Sequence, residues 1–377
     1  MRPRQKGEIM IRKICGTGMA LALLAVLGTA APAAEEKVLN LYIWSDYVAP
    51  DTLANFTKKT GIKVNMDVFD SSEVLEGKLL AGGSGYDVVV PNGPVLKRFI
   101  GAKVVRPLDK AKLPHLSTQD KPVADRAGAA ADPGNAHGIV YMWGTTGIGY
   151  NVKKVEEILG KDAPVDSWNL ILDPANAAKL AKCGIYAFDA ASDIFELTLN
   201  YLGRDPHSTV PKDYEDAAAA WQKVRPYIRK FDNSEYIPAL ANGDICVAMG
   251  YSGDVFQARD RAEEAKKGVE IAYSIPKEGA VMWFDFMAIP KDAPHPDAAH
   301  AFLDYILTPE VIGPITNEVY YANGNAQSKP FVEKEILEDE TVYPSKEMMD
   351  KLFTESTPAQ DIERLRTRIW NRVKTGS

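Results

Sequence analysis

Three short segments, far apart in the chain, each place an aromatic residue beside a carboxylate: Trp44-Ser45-Asp46-Tyr47, Tyr251-Ser252-Gly253-Asp254 and Trp283-Phe284-Asp285. Such pairs suit an organic cation, because an ammonium group is attracted to an aromatic face and forms charge-assisted hydrogen bonds to a carboxylate. Methylene groups between charges would pack against the rings. Each pair taken alone also fits a buried aromatic residue beside a surface acid.

The N-terminus has the order of a secretory signal peptide. Five basic residues precede an apolar run from Met19 to Leu27, and small residues follow up to Ala34. The run is too short to span a bilayer. We therefore expect residues 1–33 to be removed from an exported, soluble protein, with Met1 or Met10 as the true start and cleavage after Ala33 or Ala34.

The charge and the cysteines narrow the class of protein further. Removing residues 1–33 takes away five basic residues and one acidic residue, so the formal charge moves from −7 to −11. An acidic exported protein repels nucleic acid and anionic lipid, and neither is expected as a partner.

Two cysteines, Cys183 and Cys246, remain after residues 1–33 are removed. An even pair in an oxidising compartment most simply forms one disulfide, and the alternative is two buried thiols.

The pattern of strands and helices predicts two lobes of α/β structure. About 344 mature residues exceed the usual size of one domain. Strands at 38–44, 62–69 and 86–90 alternate with helices at 51–60 and 72–81, which favours a mainly parallel sheet with helices on both faces. Long apolar strands at 141–151 and 281–290 are expected to cross between the lobes. The predicted lobes are 38–143 with 285–320, and 144–284 with 321–377.

The aromatic and acidic pairs fall where such a fold binds ligands. In open α/β sheets, ligands lie beyond the carboxyl ends of the strands. Trp44 to Tyr47 and Asn92 follow strands of the first lobe, Tyr251 to Asp254 follow a strand of the second, and Trp283 and Asp285 lie on the connection. The sequence thus predicts one cleft between the lobes.

Motifs for catalysis are mostly absent. The chain has no phosphate-binding loop, dinucleotide fingerprint or zinc-type His-Glu helix, and Gly250-Tyr251-Ser252-Gly253 lacks the spacing of a hydrolase elbow. The five histidines are interpreted as surface residues. We expect no enzyme, cofactor or metal, although paired acids for glycoside hydrolysis stay open. Tyr320-Tyr321 leaves a second alternative, an iron receptor with hard oxygen ligands.

Six motifs spread over nearly the whole mature chain resemble those of the periplasmic polyamine-binding proteins, which serve importers of the ABC type. They are Trp44-Ser45-Asp46-Tyr47-Val48-Ala49-Pro50, Val68-Phe69-Asp70-Ser71 with Leu75-Glu76-Gly77-Lys78, Gly85-Tyr86-Asp87-Val88-Val89-Val90-Pro91, Thr146-Gly147-Ile148-Gly149-Tyr150-Asn151, Ala241-Asn242-Gly243-Asp244-Ile245-Cys246 and Ser274-Ile275-Pro276-Lys277-Glu278-Gly279.

The resemblance implies the type II periplasmic binding protein fold, whose two lobes, joined by hinge strands, close over a polyamine. It implies a disulfide between Cys183 and Cys246, a location in the periplasm, and contact with the membrane only through a permease. The implied ligand contacts are Trp44, Ser45, Asp46, Tyr47, Asn92, Asp193, Tyr251, Asp254, Trp283, Asp285 and Tyr321.

A few departures bear on which polyamine binds. Family members that prefer putrescine tend to have Trp and Phe where this chain has Tyr251 and Trp283, and Ser where it has Asn92. The larger face of Trp283 could stack along a longer methylene chain. Ala190, however, lacks an extra acid that some spermidine receptors carry. These differences favour spermidine, with putrescine close behind.

Overall fold

The computed structural model describes residues 37–376, so the predicted signal peptide, 1–33, lies outside the described residues. Strands β1 to β11 are Val38–Trp44, Lys63–Phe69, Val88–Val89, Gly138–Asn151, Ile185–Ala187, Ile228–Phe231, Val247–Tyr251, Ile271–Ser274, Val281–Ala288, Ala322–Asn323 and Phe353–Thr354. Helices α1 to α16 are Thr52–Thr60, Ser72–Leu80, Gly93–Ala102, Lys121–Ala130, Val152–Leu159, Asn169–Leu172, Pro174–Leu180, Ala191–Tyr201, Pro211–Val224, Tyr236–Ala241, Ser252–Ala265, Pro296–Ile306, Pro309–Val319, Lys334–Leu337, Lys346–Met349 and Gln360–Thr375.

The first part of the sheet is built from parallel strands with helical crossovers. Strand β1 pairs in parallel with β2 on one side and β3 on the other. Helix α1 lies between β1 and β2 and is capped at its C-terminus by Gly61. The positive φ of Gly61, 70°, lets the chain turn back toward the sheet. Strand β1 therefore ends at Trp44 on the same edge of the sheet as β3, where Tyr47 and Asn92 follow.

Two long, buried strands connect the parts of the sheet. Strand β4 pairs antiparallel with β9 over its first half, from Gly138 to Thr145. Its second half, from Thr146 onward, pairs with β7 and β8 instead. Both crossing strands expected from the sequence are thus present, with β4 at 138–151 and β9 at 281–288.

The second part of the sheet has the order β4, β7, β5, β6, and the last three strands are parallel. The disulfide between Cys183 and Cys246, with Cα atoms 5.6 Å apart, joins the segments that precede β5 and β7. It confirms the predicted pairing. The mixed sheet flanked by helices confirms the predicted fold class, whereas the exact lobe boundaries stay a prediction.

One minor prediction is wrong. His300 is buried rather than on the surface, because its ring lies between two backbone groups. The amide of Asp109 donates to its Nε2 atom over 3.0 Å, and its Nδ1 atom lies 2.7 Å from the carbonyl of Pro296.

Within residues 37–376, no helix is both long and apolar enough to cross a membrane.

Candidate functional site

The first and third aromatic and acidic segments meet through one buried hydrogen bond. Tyr47, just after β1, donates its hydroxyl to Oδ2 of Asp285 on β9 over 2.8 Å. The backbone of Tyr47 is held in turn, since its carbonyl accepts a hydrogen bond of 2.6 Å from the hydroxyl of Tyr141. Residues 238 positions apart in sequence therefore share one polar contact.

The carboxylate of the second segment is held by two tyrosines. Asp254 lies in the first turn of α11, directly beyond β7. Its Oδ2 accepts from the hydroxyl of Tyr236 and its Oδ1 from that of Tyr321, both over 2.7 Å. The Tyr321 hydroxyl also accepts from the Asp254 amide at 3.1 Å, so this oxygen is tied to Asp254 twice.

A chain of ring contacts joins the three segments into one group. The ring centroid of Tyr321 lies 5.6 Å from that of Tyr47 and 4.9 Å from that of Trp283. Trp283 in turn lies 6.0 Å from Tyr251. All three contacts are edge to face, the arrangement that aromatic pairs prefer over direct face-to-face stacking. The structure thereby brings together Tyr47, Tyr251, Asp254, Trp283, Asp285 and Tyr321.

Two glycines make this close approach possible. A Cβ atom added at Gly144 on β4 would lie 2.5 Å from Cζ2 of Trp283. One added at Gly253 would lie 2.4 Å from the carbonyl of Val319 and 2.7 Å from the ring of Tyr321. Any larger residue at either position would therefore displace an aromatic side chain of the group.

Burial weakens the acidity of the carboxylates in the group. It raises the pKa of Asp285 to about 7, against the opposing effect of the hydrogen bond from Tyr47. Burial also raises the pKa of Asp254, although its two tyrosine donors favour the charged form. A cation placed between these groups would favour their ionised forms, so the arrangement suits a positively charged ligand.

Asp193 and Asn92 lie at the border of this group. Asp193, in the first turn of α8, is buried, and burial raises its pKa to about 6. Its charge acts on the Tyr251 hydroxyl and helps to raise the pKa of that group. Asn92 forms a backbone bridge with Asp285, while its side chain caps α3 by accepting from the amide of Val95. Asn92 thus has a structural role whether or not it contacts a ligand.

Three of the predicted contacts are placed differently. Trp44 packs on Phe69, with ring centroids 4.5 Å apart. Ser45 is exposed, and Asp46 is exposed and pairs with Nη2 of Arg261 at 3.5 Å. Ser45 and Asp46 thus face solvent rather than the ring contacts. Their contact with a ligand stays a prediction.

Sequence reasoning missed four residues of the site region. Tyr236 and Tyr141 are buried hydrogen-bond donors, and Phe188 stacks on Tyr251 with centroids 4.6 Å apart. Glu355 carries a carboxylate oxygen that is buried and has no hydrogen-bond partner in the described part of the chain. Phe188 does fit the pattern that found the others, since it stands beside Asp189 and directly follows β5, so its signal was present in the sequence. Tyr236 begins a helix, Tyr141 lies inside β4, and Glu355 follows a strand of only two residues, so these three are not marked by a predicted strand end.

The adjacent tyrosines do not converge as iron ligands would. Tyr321 donates to Asp254, whereas Tyr320 has a left-handed backbone at the end of α13 and packs near Phe256 and Arg259. Their hydroxyls serve different neighbours. Among residues 37–376, no group of three or more His, Cys, Asp or Glu side chains is arranged to hold a metal ion.

Comparison with known proteins decides the family. Residues 51–334 match the family described as bacterial extracellular solute-binding protein. The chain belongs to this family. The family comprises transport proteins that bind a substrate and not enzymes, and relatives with high identity confirm the resemblance that the motifs predicted.

Two relatives and one solved structure illustrate the match. The chain is 51% identical to the putrescine-binding periplasmic protein PotF of Escherichia coli, over 96% of this chain and 97% of that protein. It is 48% identical to the putrescine-binding periplasmic protein SpuD of Pseudomonas aeruginosa, over 97% and 100%. The spermidine/putrescine substrate-binding protein PotD of Streptococcus pneumoniae superposes with a TM-score of 0.77 at 28% identity, over 90% and 99%.

Proposed function

We propose that the protein is a periplasmic receptor that captures a polyamine between two lobes and delivers it to an ABC-type membrane permease. Three lines support the proposal: family membership, relatives named for putrescine, and a site whose chemistry suits an organic cation. The predicted export signal agrees with a periplasmic location.

One observation carries the proposal. Asp254 and Asp285 are enclosed by aromatic rings and accept hydrogen bonds from tyrosine hydroxyls, and within 37–376 neither has an ion-pair partner. Enclosing a carboxylate without a cation is costly. A diamine would supply the missing charge at each end, while its methylenes would pack against Trp283 and the tyrosine rings.

The choice of polyamine shifts from the expectation based on the sequence. That expectation placed spermidine first because of Trp283. The relatives at 48% and 51% identity are named for putrescine alone, whereas relatives named for both spermidine and putrescine are 28% to 30% identical. Putrescine is therefore the better supported ligand, and spermidine comes second.

The mechanism follows from the geometry of the sheet. Strands β4 and β9 run through the middle of the sheet, and site residues approach from both sides of them. Closing the lobes would exclude water and strengthen each contact between ammonium and carboxylate. The closed form would then be recognised by the permease.

Titration calorimetry of the mature protein tests the proposal. Putrescine, cadaverine, spermidine, spermine and ferric citrate are titrated separately, and mass spectrometry checks that each ligand is recovered intact. We expect putrescine to bind with one site and remain unchanged, and ferric citrate to give no heat of binding. Binding of ferric citrate alone, or turnover of the polyamine, would overturn the proposal.

A further inference from the structure

Helix α8 carries two buried acidic side chains on one face. Asp193 lies in its first turn, at the border of the site, and Glu196 follows three residues later. Residues three apart in a helix project from the same side. The helix packs against β9, which carries Trp283 and Asp285, and against α16. The position of α8 therefore decides where the Asp193 carboxylate lies relative to those two side chains.

Glu196 is paired with Arg366 of α16 in the interior of the protein. Nη1 of Arg366 donates to Oε1 of Glu196 over 3.1 Å, and each side chain is only 2% exposed. Of the ion pairs between described residues, this is the one in which both side chains are buried. A buried pair adds little net stability, because removing both charges from water costs about as much as their attraction contributes. The pair is therefore better explained by the position that it fixes than by stability.

Helix α16 also contacts the chain just before α8. Nε1 of Trp370 donates to Oδ1 of Asp189 over 3.1 Å, and Nζ of Lys374 pairs with the same oxygen. Asp193 thus lies between two positions, Asp189 and Glu196, at which side chains of α16 hold the chain. Movement of α8 away from α16 would break the contacts at both positions.

The charge of Asp193 is left without a partner in the protein. Within residues 37–376, Arg366 forms its ion pairs with Glu196 and Glu363, and none is formed with Asp193. Oδ2 of Asp193 accepts a hydrogen bond of 3.3 Å from the hydroxyl of Ser192. Burial raises the pKa of Asp193 to about 6, and the positive charge of Arg366 is among the effects that oppose this rise. A cationic ligand group would supply the missing partner.

We propose that Arg366 is a positioning residue for ligand binding, which holds the first turn of α8 through Glu196 and thereby fixes the Asp193 carboxylate at the border of the site. Arg366 acts through Asp193 and not by contact with the ligand. The inference rests on the proposed polyamine function. It deepens that function by assigning a role to α16, which carries none of the predicted contacts.

A double-mutant cycle, measured by titration calorimetry with putrescine, tests the inference. Asp193→Asn should weaken binding by about thirtyfold or more, as expected for removing one partner of a buried charge pair. Arg366→Met should weaken binding by about tenfold or more in the wild-type background. In the Asp193→Asn background, Arg366→Met should change the affinity by less than about threefold, because the carboxylate that Arg366 positions is then absent.

Two further variants separate positioning from other effects of losing an arginine. Arg366→Lys keeps a positive charge beside Glu196 and should bind putrescine at least about threefold more tightly than Arg366→Met does. Arg372→Met is the matched control, since Arg372 lies on the same helix and pairs with Glu215 of α9, but both side chains of this pair are more than 40% exposed. The control should bind putrescine like the wild type.

Thermal unfolding shows whether Arg366→Met folds, since this change leaves Glu196 buried without a partner, which is destabilising. If it does not fold, Glu196→Leu combined with Arg366→Met replaces the buried pair by apolar side chains, a change that is often neutral or stabilising. This combination then takes the place of Arg366→Met in both backgrounds. The same losses of affinity are expected, at a melting temperature close to that of the wild type.

The outcomes distinguish this inference from the proposed function. A wild-type protein that binds no polyamine would overturn the polyamine function itself. A wild-type protein that binds putrescine, with unchanged affinity in Arg366→Met or in Asp193→Asn, would overturn only the role of Arg366. Equal losses on replacing Arg366 in both backgrounds would also contradict this role, since they would indicate a general disturbance of the fold and not an effect through Asp193.

Discussion

Asp254 and Asp285 are held by tyrosine hydroxyls that come from distant parts of the chain. Asp254 has two such donors, Tyr236 and Tyr321, while Asp285 has one, Tyr47. In both cases the donor orients the carboxylate without neutralising its charge. The neutralising charge is therefore left for the ligand to supply.

Replacing Asp254 by Ala should weaken putrescine binding by about 2–5 kcal/mol, as expected for removing one partner of a buried charge pair. Titration calorimetry measures the change. The exposed Asp162→Asn serves as a control for the loss of one negative charge and should bind like the wild type. Equal affinities of Asp254→Ala and the control would exclude Asp254 from the ligand contacts.

Putrescine binding should weaken as the pH falls, because Asp285 has a pKa of about 7. In the protein without ligand, the raised pKa of Asp285 favours its neutral carboxyl. The unfolded chain loses this proton at a lower pH than the folded protein does, so Asp285 lowers the free energy of unfolding progressively as the pH rises from about 4 to 7. Putrescine stays charged, as alkyl ammonium groups do up to about pH 10, and favours the ionised carboxylate. We expect affinity at about pH 5.5 to be at least about tenfold below that at pH 8.

Calorimetry at both pH values, with Asp285→Asn alongside, checks this expectation. The variant should bind weakly at either pH and lose part of the pH dependence. Without ligand, the thermal stability of the variant relative to that of the wild type should increase as the pH rises, because the asparagine does not ionise. A wild-type affinity that is flat over this range would argue against a role for the Asp285 proton.

Among the residues of the site, the carboxylates could be predicted from the sequence better than the residues that contact them. Asp254 and Asp285 were found because acids beside aromatic residues follow or lie on predicted strands. Tyr236 and Glu355 were not found, because their contacts are made by helices and loops whose packing has no short sequence signature. Asp46 was placed among the contacts, yet it is exposed beside Arg261.

Among the elements, strand β4 shapes the site because it has no side chain at Gly144. Gly144 leaves room for the indole of Trp283, which approaches to 2.5 Å from the position of an added Cβ. Gly144 faces β9 in the paired register, directly opposite Trp283. The strand thus sets how far the tryptophan can move toward the sheet.

Gly144→Ala should displace Trp283 and weaken polyamine binding, and it should lower the free energy of unfolding by about 1–3 kcal/mol, the usual cost of overpacking a close contact. Tryptophan fluorescence should report a changed environment in the absence of ligand. Gly101→Ala, on α3, where an added Cβ meets no atom within 4 Å, is the control. Unaltered binding in Gly144→Ala would show that the position of the indole does not matter.

The bounds of several elements could be predicted from the sequence. The predicted strand at 38–44 is β1, and the predicted helices at 51–60 and 72–81 are α1 and α2 within one residue at each end. Strong apolar alternation and clear capping residues explain this agreement. The short strands β10 and β11 have two residues each and depend on long-range pairing, which leaves no local pattern to read.

At the scale of the whole molecule, the long strands β4 and β9 set the arrangement of the site. Their pairing places Trp283 and Asp285 in the middle of the sheet, and Tyr47, after β1, and Asp254, after β7, reach them from opposite sides of the two strands. The apolar runs predicted the two strands, and the register between them could be known only from the folded chain. Two lobes that close around this region remain our proposal.

A crystal structure of the mature protein with putrescine tests whether Asp254 and Asp285 bind the two ends of a polyamine. We expect the two ammonium groups to lie within hydrogen-bonding distance of carboxylate oxygens, with those of Asp254 and Asp285 among them, and the methylenes to pack against the faces of Trp283 and Tyr251. Putrescine bound outside the space between these carboxylates, or bound there with both carboxylates turned away from it, would show that they are not the ligand site.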